Sequence, residues 1–262
     1  MGPLDLLDTM RGRREEMVPP RRMWFVGGGN FKTGGERLCR QMKECAGPEP
    51  DHDVLDIGCG IGKMAVPLTK VLSPQARYEG FDIVEDAVRW CSDHITARHP
   101  NFRFQVVDLF NSRYNPAGGD SAAGLRLPYP DDSFDFAFAN SIFTHLAPDV
   151  VENYVAEAAR VLRPGGVFFA TYFLDPPLDP ADPARWTTPS AWFGVEHDGY
   201  RSVSRWTPEA ALAHPERDVR ARYARHGFEI ADELGVVHGA WSGRYPGARS
   251  FQDFVIARLP SA

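Results

Sequence analysis

The stretch that most constrains this chain is Asp53-Val54-Leu55-Asp56-Ile57-Gly58-Cys59-Gly60-Ile61-Gly62. Val54 to Ile57 is a short apolar run broken by one acid, three glycines follow at alternate positions, and Lys63 to Leu72 suits a helix. This is a strand, a tight turn and a helix. Glycines in such a turn let the backbone take positive φ and let a ligand lie against bare amides, while the helix start offers unpaired N–H groups. The turn suits a nucleotide-like ligand. Its alternative is a glycine-rich turn that binds nothing.

Spacing narrows the ligand. A dinucleotide fingerprint needs a further glycine where Lys63 stands, and a phosphate-binding loop needs Ser or Thr where Met64 stands. Two more acids recur at strand ends. Asp82 follows Asp56 by 26 residues in Gly80-Phe81-Asp82-Ile83, and Asp108 follows Asp82 by 26 in Val106-Val107-Asp108-Leu109. In a doubly wound sheet, ligands sit beyond the carboxyl ends of the strands, so such residues converge. A carboxylate there can accept the two hydroxyls of a ribose, and the next can accept an adenine amino group. Taken singly, either acid is an ordinary cap or turn residue.

Strand and helix alternate through the middle of the chain. Strands are expected at 77–82, 102–107, 134–139 and 167–173, and helices at 35–45, 84–98 and 148–162, the last ended by Pro164-Gly165-Gly166. This rhythm predicts an α/β parallel sheet with right-handed crossovers. Residues 1–50 read as an arm and lid helix, with the arm either mobile or folded over a substrate. Phe25 and Phe31 flank its glycine run and either stack on a ligand or plug a core. Residues 51–174 read as the ligand-binding core and 175–206 as an irregular aromatic and proline-rich cap on the substrate side. Residues 207–262 supply a helix from Pro208 to His226 and two last strands, about 229–238 and 251–259.

Charge and composition exclude several classes. A net charge of -6 argues against a general nucleic-acid binder. No apolar run reaches the roughly 18 residues a membrane span needs, and acids and arginines occupy the place of a secretory core, so a cytoplasmic protein is expected. Cys39, Cys45, Cys59 and Cys91 lack metal spacing and disulfide density, and read as reduced. Asp131-Asp132 lies in a turn where solvated acids belong, and no metal is expected.

The glycine turn, the acids and Leu162-Arg163-Pro164-Gly165-Gly166 together resemble the class I S-adenosylmethionine-dependent methyltransferases, over about Val54 to Phe173. The resemblance implies a Rossmann-like, doubly wound, seven-stranded and mostly parallel sheet with a reversed last strand. It also implies S-adenosylmethionine as cofactor and S-adenosylhomocysteine as product. By that resemblance Gly58, Gly60 and Gly62 line the methionine part, Asp82 holds the ribose, Ile83 packs on the ring, and Asp108 with Leu109 meets the adenine, with Asp56 and Cys59 also at the cofactor. Asn140 would also lie at the cofactor.

A sulfonium methyl is already activated, so positioning is the main task, and a hydroxyl acceptor adds a proton to remove. His145, in Asn140-Ser141-Ile142-Phe143-Thr144-His145-Leu146 just past strand four, is the candidate base, since its ordinary pKa lies near neutrality. Its alternative is a capping histidine. Tyr172, Trp192, His197, Tyr200, His238 and Trp241 are the remaining candidates for acceptor contact, with a structural or surface role as the alternative for each histidine. The chain is similar to bacterial O-methyltransferases of sugars, glycolipids and natural products. That implies a small-molecule acceptor, no nucleic acid, no membrane, and a monomer or homodimer. An N-methyltransferase, a reductase and a non-catalytic cofactor binder are the rivals. The reductase lacks its Tyr-x-x-x-Lys pair, because no lysine follows Lys70.

Overall fold

The computed structural model describes residues 5, 10–11, 15–24, 30–111, 115–119, 124–175, 193–231, 235–245 and 247–261. Phe25, Trp192 and most of the expected cap lie outside the described residues. The chain divides into two compact units, residues 1–116 and 117–262.

The first unit runs α1 (Phe31–Ala46), β1 (Val54–Ile57), α2 (Ala65–Leu68), β2 (Tyr78–Asp82), α3 (Glu85–Cys91) and β3 (Phe102–Val106). β1 pairs parallel with β2, and β2 parallel with β3. All four β1 residues are buried, as expected for a strand covered on both faces. Helix α1 begins four residues before the expected Gly35, because the Asn30 side chain accepts from the Thr33 amide and caps it there. Its Gly34 and Gly35 lie against Lys63, and a Cβ on Gly35 would stand 2.2 Å from the Lys63 carbonyl oxygen. The expected helix over 84–98 is α-helical only as far as Cys91 and then widens into a π turn over Ser92–Thr96.

The second unit contributes β4 (Phe134–Ala139), α4 (Pro148–Val161), β5 (Leu162–Tyr172), β6 (Leu174–Asp175), β7 (Val195–His197), β8 (Tyr200–Ser202), β9 (Leu212–Pro215), α5 (Glu216–Arg225), β10 (Val236–Val237) and β11 (Asp253–Arg258). β4 and β5 are parallel, while β11 runs antiparallel to β5 and β10 antiparallel to β11. The strand order is β1-β2-β3 in the first unit and β10-β11-β5-β4 in the second, so the seven strands are mostly parallel with reversed last strands.

Three expectations are corrected in this unit. The helix foreseen over Pro208–His226 is instead a 3-10 turn (Pro208–Ala210), strand β9 and helix α5. Pro215 lacks an N–H and would break a helix interior, so the helix starts just after it. The described part of the cap is also more regular than expected, since β6, β9, β8 and β7 form a second, four-stranded sheet. Among the described residues, the strand foreseen over 229–238 shows one bridge, Glu229 to Arg258, and the two residues of β10.

Candidate active site

In the first unit the three turn glycines take φ of 76°, 52° and 76° at Gly58, Gly60 and Gly62, the left-handed region that side chains disfavour. The turn uses its own donors. Gly58 and Cys59 amides both donate to the Phe81 carbonyl, at 3.0 and 2.9 Å, and the Gly62 amide donates to Cys59 at 3.0 Å. The Gly60 amide donates to Asp82 Oδ2 at 2.7 Å. With the Gly58, Cys59, Gly60 and Gly62 amides engaged, what these residues offer a ligand is surface free of side chains, rather than the bare amides the sequence suggested. Cys59 and Cys91 both direct their thiols at the Gly60 carbonyl, and burial pushes both thiols well up.

Asp82 ends β2 and is nearly buried, with its other oxygen accepting from the Val84 amide at 2.9 Å. Burial raises its pKa, against the pull of those amides. The Ile83 amide also bonds it; a carboxylate accepts about four hydrogen bonds, so Asp82 keeps acceptor capacity for about one more donor. Asp56 is placed differently. It is 2% exposed, accepts from the Tyr78 hydroxyl, and burial pushes its carboxyl up to about 8. It lies within the core, immediately before the turn. Asp108 is exposed and accepts from Asn115 Nδ2 at 3.1 Å, and that amide also donates to the carbonyl of buried Leu109. Ile83 is half-buried. Phe31, expected at the acceptor, is instead 3% exposed and packs with Ile61 of the turn and Ala87, against Val18 and Trp24 of the arm.

In the second unit, β4 ends at Ala139 and leads through half-buried Asn140 to a 3-10 turn over Phe143–His145. Ser141 has φ of 57°, and its amide donates to Thr171 Oγ1 at 2.7 Å. The half-buried His145 ring sets Nδ1 2.8 Å from the Glu209 carbonyl. A carbonyl only accepts, so Nδ1 carries a proton, and the ring when neutral has its lone pair on Nε2. That is the form a general base requires.

A methyltransferase-domain family matches residues 54–166. Residues 54–166 belong to the class I S-adenosylmethionine-dependent methyltransferases. Methyltransferase GfsG of Streptomyces halstedii is 33% identical over 132 residues, which are 50% of this chain and 41% of GfsG. This chain thus spans under half of that relative. A ubiquinone biosynthesis O-methyltransferase of Methylobacterium sp. is 29% identical over 239 residues, 87% of this chain and 82% of the relative. The crystal structure of an S-adenosylmethionine-dependent methyltransferase from Mesorhizobium loti shares the fold with a TM-score of 0.55 at 16% identity, over 85% of this chain and 97% of that one.

S-adenosylmethionine is the cofactor of this methyltransferase domain. The residues present fit it: a glycine turn without Cβ atoms, a buried carboxylate with acceptor capacity after β2, and a polar residue after β3. The acceptor candidates fall into two groups. Tyr172 and Trp241 are packed, at 0% and 2% exposed. The Tyr172 hydroxyl meets that of Tyr223 at 3.2 Å, and Trp241 donates Nε1 to buried Asp253 at 2.5 Å. Both fill the core because large rings with a satisfied polar tip gain most from burial. His197 and Tyr200 are half-buried on the β7–β8 hairpin and stack at 4.4 Å, with His197 Nε2 donating to Ser202 Oγ at 2.8 Å. Burial raises the Tyr200 hydroxyl, with the Glu209 and Asp149 carboxylates adding to the effect, so this pair neighbours the segment that holds His145. His238 stacks on Tyr245 at 4.3 Å, 3.8 Å from carboxylate oxygens of both Glu216 and Asp253.

Two contacts at the His145 turn escaped sequence reasoning: the Glu209 carbonyl on His145 and His214 on the Phe143 carbonyl, 64 and 71 residues away along the chain. Among the described residues no group of three or more His, Cys, Asp or Glu side chains is placed to hold a metal, and no helix is long and apolar enough to cross a membrane.

Proposed function

We propose that this chain transfers a methyl group from S-adenosylmethionine to a hydroxyl of a small molecule, without metal, with His145 as general base. The observation that carries the reading is the Nδ1–Glu209 contact, which leaves the His145 lone pair on Nε2. The bound cofactor supplies a methyl group already activated as a sulfonium. His145 Nε2 takes the proton of the acceptor hydroxyl, and the Glu209 carbonyl stabilises the imidazolium that results. The stacked His197–Tyr200 pair offers a flat face for a sugar or ring acceptor, and His238 a polar edge. Gly58, Cys59, Gly60, Gly62, Asp82, Ile83, Asp108, Leu109 and Asn140 are the proposed cofactor contacts, with Asp56 stiffening the turn from below. We assign residues 175–206 as the acceptor-side cap and residues 1–50 as the arm and lid helix. The O-methyltransferase name of the Methylobacterium relative agrees with oxygen as the target.

The test is transfer of isotopically labelled methyl, with chelator present, into neutral glycosides or phenols paired with their amino analogues and read by mass spectrometry. Label on the neutral acceptors is expected, with His145→Ala slowing it about 10² to 10⁴-fold. Label only on the amines, or a His145→Ala variant as fast as wild type, overturns the reading.

A further inference from the structure

The turn that carries His145 is held from both sides by one stretch of chain. Residues 208–215 run from the 3-10 turn at Pro208–Ala210 into β9. Glu209 presents its carbonyl to His145 Nδ1 at 2.8 Å, and His214, five residues on, sets Nε2 3.0 Å from the Phe143 carbonyl. The two contacts are reciprocal: the turn donates through His145 and accepts through Phe143. The turn also stores strain, since Ser141 sits at φ 57° and is pinned by Thr171 Oγ1 at 2.7 Å and Gln252 Oε1 at 2.9 Å. A side-chain-bearing residue in that region persists only where its surroundings over-determine it, and such residues gather at functional sites.

His214 is otherwise costly. It is 1% exposed, lies edge-on to Tyr172 at 5.7 Å, and its Nδ1 has no hydrogen-bond partner among the described residues. The charged group facing it is Arg222 of α5, the Leu146 backbone contacts the ring as the Phe143 backbone does, and burial pushes the pKa of His214 down to about 4, so the ring is neutral at neutral pH. A leucine would fill the space without burying an unpaired nitrogen. What histidine adds is one N–H aimed at the backbone of the turn.

We propose that His214 is a positioning residue for methyl transfer, its Nε2–H fixing the Phe143 carbonyl and thereby the orientation of His145 two residues later. This rests on the reading of His145 as the base. A base must stand within hydrogen-bond reach of the proton it takes, and a small misplacement costs up to about 10²-fold in rate.

The test compares His214→Gln, which keeps an N–H at similar reach, with His214→Leu, which removes it. Should the leucine variant not melt cooperatively, His214→Asn replaces it, because its amide is too short to reach Phe143. Full-length protein with ¹⁵N-labelled histidine is read by long-range ¹H–¹⁵N correlation. Wild type and His214→Gln are expected to show His145 as the Nδ1–H tautomer, and the leucine or asparagine variant a mixture. With an acceptor from the panel above, the latter should lose about 10- to 100-fold in kcat with KM unchanged, and the glutamine variant should restore most of it. An unchanged His145 tautomer and kcat in a folded leucine or asparagine variant overturns this proposal alone. Full activity of His145→Ala overturns instead the base reading beneath it.

Discussion

Gly62→Ala isolates what the glycine turn contributes. Gly62 has φ of +76°, and a Cβ built there would stand 2.5 Å from Ile95 Cδ1 and 3.1 Å from Cys91 Sγ. Holding an alanine in the left-handed region costs about 1–2 kcal/mol, and forcing a methyl into a packed core about 1–3 kcal/mol. The smaller entropy of the unfolded alanine chain offsets about 0.4–1 kcal/mol. The net loss is therefore about 1–4.6 kcal/mol. In a chain of this size each kcal/mol moves the melting temperature by about 2–4 °C, so Gly62→Ala should melt about 2–18 °C below wild type. Gly247→Ala, whose Cβ meets nothing within 4 Å, is the control and should stay within about 0.5 kcal/mol. Calorimetry gives the first quantity, and titration with S-adenosylmethionine the second. Displacing Ile95 and Cys91 also moves the turn, so affinity should drop at least tenfold. A variant that melts with wild type and binds the cofactor equally well would refute the claim that this position admits only glycine.

Two further outcomes follow from the buried acids. Burial pushes Asp56 up to about 8, so the folded state holds its proton more tightly than the unfolded chain; that stability is complete below the ordinary carboxylate range and is lost as pH climbs toward 8. Urea denaturation from pH 5 to 8 should show wild type losing about 1 kcal/mol per pH unit relative to Asp56→Asn, and equal slopes would sink the assignment. Asp82→Asn keeps the shape at β2 but removes the charge facing the proposed ribose hydroxyls. Calorimetric titration should show S-adenosylmethionine binding weakened about 10- to 100-fold, and wild-type affinity would remove Asp82 from the cofactor site.

Local features were the legible ones. Helix α4 starts at Pro148 as the sequence indicates, and β4 spans the foreseen 134–139. Both rest on neighbouring residues: a proline suited to a first turn and a compact apolar run. The 208–226 segment misled because Ala210, Ala211, Leu212 and Ala213 favour helix, whereas burial of Leu212, Ala213 and His214 against strand partners decides for a strand. Tertiary packing overrides weak propensity in this way. The cap was read as irregular for a similar reason. Its short hairpin has little alternation of its own, and its strands become regular by pairing with β9.

By itself the sequence determined the glycine turn, the acids that end β2 and follow β3, and a parallel α/β sheet, because positive φ and strand periodicity are properties of adjacent residues; the methyltransferase fold was what the resemblance carried by those residues implied. Tertiary structure alone decided what surrounds them. It took the turn's amides for its own hydrogen bonds, buried Asp56 against Tyr78, packed Tyr172 and Trp241 into the core, and brought Glu209 and His214 to the His145 turn. These contacts join residues tens of positions apart, and their partners are chosen by how elements pack, which no local pattern along the chain records.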